Sequence, residues 1–169
     1  VAMEWSTFSE PTEGNSQQEV NSEQVSRIDL RARKMFFQYE VRTNDNVNLN
    51  IQGTLYWKIN DVHRMVNTTA DPAGDVWHHS RSALIAAVSS VPLDTFMSSF
   101  NQLVQTAFDA QAADGFYTQR GIEVESMEVT RYDCVDEETA ATLQEIIQET
   151  TDRINRLEAQ RSENDVKSA

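Results

Sequence analysis

The sequence predicts an α+β fold, an antiparallel-rich mixed sheet packed by helices and followed by a long C-terminal helix that begins a coiled coil. Three observations predict it. Apolar residues take alternate positions through Met35, Phe37, Tyr39 and Val41, and again through Val47, Leu49, Ile51, Leu55, Trp57 and Ile59, the period of strands with one buried face. Between Asp71 and Phe108 the apolar spacing changes to three and four residues, the period of amphipathic helices. From Ala140 a narrower stripe of Ala140, Leu143, Ile147, Thr150, Ile154 and Leu157 repeats at 3-4-3-4, as in a heptad seam.

The elements follow in order. Residues 1–26 read as a polar N-terminal arm: residues 6–26 are mostly Ser, Thr, Glu, Gln and Asn with Pro11 and Gly14, too poor in apolar surface to fold alone. Trp5 is the isolated anchor that packs this arm back on the domain. Ile28-Asp29-Leu30 begins a strand that leads into a hairpin, whose turn is Asn44-Asp45-Asn46. Asp61 caps a short helix over Val62 to Thr68, with Val62, Met65 and Val66 facing inward. The triplet Asn67-Thr68-Thr69 is a formal glycosylation sequon and reads as that helix's end.

Asp71-Pro72 is the clearest helix start, an N-cap followed by proline at the first helical position. The helix buries Val76, Trp77, Ala83, Leu84, Ala87, Val88 and Val91, and Pro92 ends it. Asp94 caps the next helical stretch, with Phe96, Met97, Phe100, Leu103, Val104, Ala107 and Phe108 inward and a break between Ser98 and Asn101, where weak helix formers gather. Gly121 returns the chain to extended structure. In the strand that follows, Ile122 and Val124 alternate and then slip by one to Met127 and Val129, the mark of a β-bulge or a change of covered face. The division is thus a 1–26 arm, a 27–134 α/β domain and a 135–169 long helix.

Composition narrows the function. The net charge of −13 argues against nucleic acid, whose phosphates call for clustered Lys and Arg, and against broad adsorption to anionic lipid. Acidity by itself is sufficiently explained by solubility. The single cysteine, Cys134, excludes an internal disulfide and a cysteine-based zinc site. No apolar run reaches the roughly 18 residues of a bilayer-spanning helix, and the N-terminus, with Glu4 and Glu10 and no basic start, does not resemble a signal peptide.

Chemistry-bearing patterns are sparse. Asp71, Asp75 and His79 lie at i, i+4 and i+8, a spacing for hard-metal ligands that is better explained by a capping Asp71 and a solvated helix face. His78 and His79 point to different sides of a helix and make no paired ligand set. Cys134 has no His and Asp at a catalytic spacing, so a structural thiol is the simpler reading. Glu123 with Glu125, and Asp136 with Glu137 and Glu138, read as exposed charge and favourable helix-dipole placement rather than acid–base pairs. With five glycines and no glycine-rich phosphate loop, the sequence predicts no enzyme, no catalytic residue, no cofactor and no metal.

Several of these segments resemble the SPFH (stomatin, prohibitin, flotillin, band 7) domain. Ile28-Asp-Leu-Arg31 resembles its strand before the hairpin. Thr43-Asn-Asp-Asn-Val47 through Gly53-Thr-Leu-Tyr-Trp57 resembles its most recognisable hairpin. Ser82-Ala-Leu-Ile85 followed by Pro92-Leu-Asp94 is similar to its capped helix, and Arg120-Gly-Ile-Glu-Val124 with Glu128-Val129 to its last strand. The resemblance covers roughly residues 27–165. Val135-Asp-Glu-Glu-Thr139, Leu143-Gln144 and Glu158-Ala-Gln-Arg161 also resemble the shoulder domain of the major vault protein, which has the same fold in a soluble cage.

The resemblance implies a non-enzymatic oligomeric scaffold that organises a membrane patch or membrane protein complex, with homo- or hetero-oligomeric SPFH partners. It also implies attachment to membrane proteins or lipid through an apolar segment ahead of Val1, and a location on a cytosolic or organelle-interior membrane face. A vault-like cage subunit and a monomeric protein-binding domain are the alternatives. The residues expected at the subunit contact are Leu143, Ile147, Ile154 and Leu157.

Overall fold

The alternating stretch folds as a long hairpin, β3 (Arg33–Arg42) and β4 (Asn48–Ile59), paired antiparallel from Arg33↔Trp57 to Arg42↔Asn48. In the computed structural model, which describes residues 1–9, 18–135, 141, 145, 148–149 and 151–161, one face of this hairpin is the floor of the core. Met35, Phe37, Tyr39 and Val41 from β3 and Leu49, Ile51, Leu55, Trp57 and Ile59 from β4 are all buried. Each such side chain contributes about 1.5–3 kcal/mol of transfer free energy. The turn is set by side chains: the Thr43 hydroxyl donates to Asp45 at 2.5 Å and accepts the Val47 N–H at 3.1 Å. Asn46 takes a φ of 66°, a left-handed conformation that asparagine tolerates better than most residues.

The third strand of this sheet is β5 (Ile122–Cys134), beside β4. Thr130 donates to the Gln52 carbonyl, Lys58 lies between Glu123 and Glu125, and the Asn60 N–H donates to the Gly121 carbonyl. Partner numbers fall on β5 as they rise on β4, so this pair is also antiparallel. Gly53 is required by close approach: a Cβ there would stand 2.1 Å from the Glu128 carbonyl oxygen and 2.6 Å from the Phe37 ring. The buried set in β5 moves from Ile122 and Val124 to Met127, as the slip in the sequence predicts.

Helices α1 (Val62–Thr68), α2 (Pro72–Ser89), α3 (Leu93–Ser98), α4 (Phe100–Ala113) and α5 (Phe116–Gln119) lie between β4 and β5 in the chain. Asp61 and Asp71 cap α1 and α2, accepting from the Arg64 and Gly74 N–H groups at 3.0 and 3.1 Å. Buried residues recur every fourth position along α2 at Val76, Ser80, Leu84 and Val88, and α2 packs against β3 and α4. The break between α3 and α4 falls at Ser99. Ser80, Gln111 and Tyr117 form a buried polar knot in which Ser80 and Tyr117 both donate to Gln111 Oε1.

Three expectations from sequence are corrected. Asp94 does not cap α3: it is the second residue inside the helix and bonds the Thr95 N–H at 2.7 Å, while Pro92 occupies the N-cap and the Leu93 N–H is taken by Asp45. Ile28–Leu30 is not a strand. Asp29 accepts from the backbone N–H and the guanidinium of Arg31, a local turn that competes with extended pairing. The 1–26 arm holds a hairpin that its polar composition does not predict: β1 (Ala2–Phe8) pairs antiparallel with β2 (Gln18–Gln24), from Ala2↔Gln24 to Phe8↔Gln18. Docking, not composition, makes this second sheet. The Glu4 N–H donates to the Ala70 carbonyl, Ser6 donates twice to Asp71, and Phe8 stacks on Trp77 at 4.8 Å.

The chain divides into two compact units, Val1–Asp133 and Cys134–Ala169. In the second, residues 151–161 are helical and exposed.

Candidate functional site

Sequence pairing across the β3–β4 hairpin places Arg33 opposite Trp57, and the docked β1 brings Trp5 to the same place. The Arg33 guanidinium carbon lies 5.0 Å from the Trp5 ring centroid and 5.6 Å from that of Trp57, within range of cation–π attraction. Trp57 is 2% exposed. Around this trio is a cleft of about 770 Å³, walled by β1, β2, the 25–29 connection, β3 and Trp57. Arg27 and Lys34 also line it, with Glu23 and Asp29 as its acids. Arg33 donates to the Asp29 carbonyl at 3.0 Å. Its Nε and the Trp5 indole nitrogen are buried without hydrogen-bond partners among the described residues.

The charge of Asp29 is already engaged. Its oxygens lie 2.7–3.1 Å from the Arg31 guanidinium, and that hydrogen bonding holds its carboxyl well below the usual carboxylate range. Sequence reasoning finds Trp5 as an anchor but misses Arg33. The hairpin turn at 44–46 fixes the register that sets Arg33 against Trp57, so that half of the trio was available from sequence.

The candidate metal ligands do not converge. Asp71 is spent on the α2 cap and on Ser6. Asp75 bonds Thr69 and pairs with Arg120 at 3.5 Å. His79 bonds Asp114 at 2.6 Å and stacks on Phe116, whose ring also carries Arg120. Among the described residues no group of three His, Cys, Asp or Glu is placed to hold a metal. Glu123 and Glu125 flank Lys58, whose ammonium pKa they raise. Cys134 is half-buried at the end of β5. Asp136, Glu137 and Glu138 lie outside the described residues.

Of the expected subunit-contact residues, Leu143 and Ile147 also lie outside the described residues. Ile154 and Leu157 are on the helical stretch 151–161, where they are 52% and 60% exposed. They line a shallow surface depression with Glu158, Gln160 and Arg161.

A family model, SPFH domain / Band 7 family, matches residues 16–166. The chain belongs to that family. The SPFH / Band 7 family is one of membrane-associated scaffolds that are generally non-enzymatic and commonly oligomerise. No curated protein matches the chain. No helix among the described residues is long and apolar enough to cross a membrane. The SPFH match takes in β2 through β5 and leaves β1, with Trp5, Ser6 and Phe8, ahead of it.

Proposed function

We propose that this SPFH chain is a subunit of a non-enzymatic oligomeric scaffold that organises a membrane patch or a membrane protein complex, its domains side by side and its C-terminal helices associated. The observation that supports this reading most is the exposure of Ile154 and Leu157 on helical residues, at 52% and 60%. Large aliphatic side chains on a polar helix lose contact with water when a second helix covers them. Their positions continue the heptad stripe that the sequence gives to Leu143 and Ile147, the spacing of a coiled-coil seam. SPFH membership supplies the membrane and the organising role, with other SPFH subunits as partners.

The test is the mass of the purified chain by light scattering across a wide concentration range. Assembly is expected, and Ile147→Asp with Ile154→Asp should reduce it to monomer while the 1–133 unit keeps its circular dichroism and unfolding midpoint. An assembly that survives the double change removes the helix as the joint. A wild-type chain that stays monomeric at high concentration favours a single protein-binding domain instead.

A further inference from the structure

We propose that the cleft between the N-terminal hairpin and β3 binds a small amphipathic carboxylate, an oxyanion on an apolar body, through Arg33. The chain carries a net charge of −13, yet this cleft collects Arg27, Arg33 and Lys34 against Glu23 and Asp29, and Asp29 is neutralised by Arg31 from outside the cleft. Its local charge is therefore opposite to that of the molecule. Among the described residues Arg33 has no carboxylate within ion-pair distance; its hydrogen bond goes to the Asp29 backbone carbonyl.

Among the described residues two donors in the cleft have no acceptor, Arg33 Nε and the Trp5 indole N–H. A buried donor without an acceptor is costly, and a guanidinium between aromatic walls has lost part of its hydration. A carboxylate supplies what both lack, since its two oxygens match the guanidinium fork. The wall also carries Phe8, Val25, Ile28, Met35 and Trp57 beside the polar Ser6, Thr7 and Asn21, a mixed lining whose apolar part suits an apolar body. The volume of about 770 Å³ lies in the range of small-molecule sites. Both donors are buried, so a ligand reaches them by displacing the groups that cover them. The hairpin is the piece that must move, against hydrogen bonds at Glu4 and Ser6, the stacking of Phe8 on Trp77 and the buried Met3. Trp5 precedes the residues that match the SPFH model, whereas Arg33 and Trp57 lie within them.

The experiment is a titration of the full chain with sodium decanoate below its micellar concentration, observed at the indole N–H resonances of its three tryptophans. Trp5 and Trp57 should shift saturably and Trp77 much less. Decanol, with the same body and no charge, should bind roughly tenfold or more weakly, the worth of one charge-assisted hydrogen bond. Arg33→Gln should erase that preference. Raising the salt should weaken decanoate and leave decanol unchanged, a readout that needs no variant and survives if Arg33→Gln loosens the hairpin. Equal binding of decanol and decanoate at low salt, or shifts that rise without saturating, would overturn the proposal.

Discussion

The carboxylate of Asp45, in the turn between β3 and β4, accepts the backbone N–H of Leu93 at the start of α3, at 3.2 and 3.3 Å across 48 residues of sequence. The same carboxylate orders its own turn through Thr43. One acidic side chain therefore fixes a hairpin end and a helix start together. The Asn44 N–H, bonded to the Val91 carbonyl at 2.9 Å, ties the same two segments.

Asp45→Ala is expected to destabilise the fold by about 1–2 kcal/mol, the cost of a lost cap. Asp94→Ala should cost less, about 0.5–1 kcal/mol, because it removes a charge and one exposed bond to the neighbouring Thr95 N–H from the first turn. Urea unfolding of the two variants decides it, and a larger loss for Asp94 would reverse the assignment of the cap.

For Asp71 the expected loss is greater than a simple cap's. Its oxygens accept from Gly74, from the Ser6 backbone and from the Ser6 hydroxyl, so Asp71→Ala should cost about 2–4 kcal/mol. A double-mutant cycle with Ser6→Ala should return a coupling of about 1 kcal/mol. Additive effects would mean that the hairpin is not held through this pair.

Trp57→Ala should cost about 3–5 kcal/mol, since the ring is 2% exposed and also forms one wall of the Arg33 cleft. Trp77→Ala strips Phe8 and Tyr39 of their shared aromatic neighbour. Thermal unfolding of both variants is the check, and a neutral Trp57→Ala would remove it from the core.

Alkaline pH offers a further test. Burial raises the Tyr39 and Tyr117 hydroxyls above the ordinary tyrosine value of 10.0. Above the unfolded value, near pH 10, the unfolded chain releases protons that the folded one keeps, so stability falls as pH rises through that window. Each such tyrosine adds about 1.4 kcal/mol per pH unit to the slope. Tyr117→Phe should make the decline shallower above pH 10, even though it also breaks the knot with Ser80 and Gln111. An unchanged slope in urea titrations between pH 9 and 11 contradicts this.

What could be seen in the sequence was local. Alternation from Met35 to Ile59 marks a half-buried hairpin because pleating sends neighbouring side chains to opposite faces, and Asp61 and Asp71 announce caps because the donors they serve lie within three residues. Asp94 misled because the donor at Leu93 found its acceptor in Asp45, far back in the chain, and no local rule reports that. The β1–β2 hairpin was hidden for a related reason. Along β2 every residue from Glu19 to Gln24 is exposed, so no alternation survives, and the strand exists because β1 is docked. The cleft depends on the same docking: Arg33 opposite Trp57 follows from register, whereas Trp5 arrives from outside it.

The fastening of β1 also determines how the fold would answer a pull. Val1 and Val25 are bonded to each other at the open end of the hairpin, so tension applied at Val1 peels the strand pairs one after another instead of shearing them together. The peeling front passes the buried Met3 and then meets Glu4 on Ala70 and Ser6 on Asp71, where the chain is stapled to the N-cap of α2 and the residue before it. Asp71 is thus a mechanical fuse: force arriving from the N-terminal side uncaps a helix before it touches the hydrophobic floor beneath.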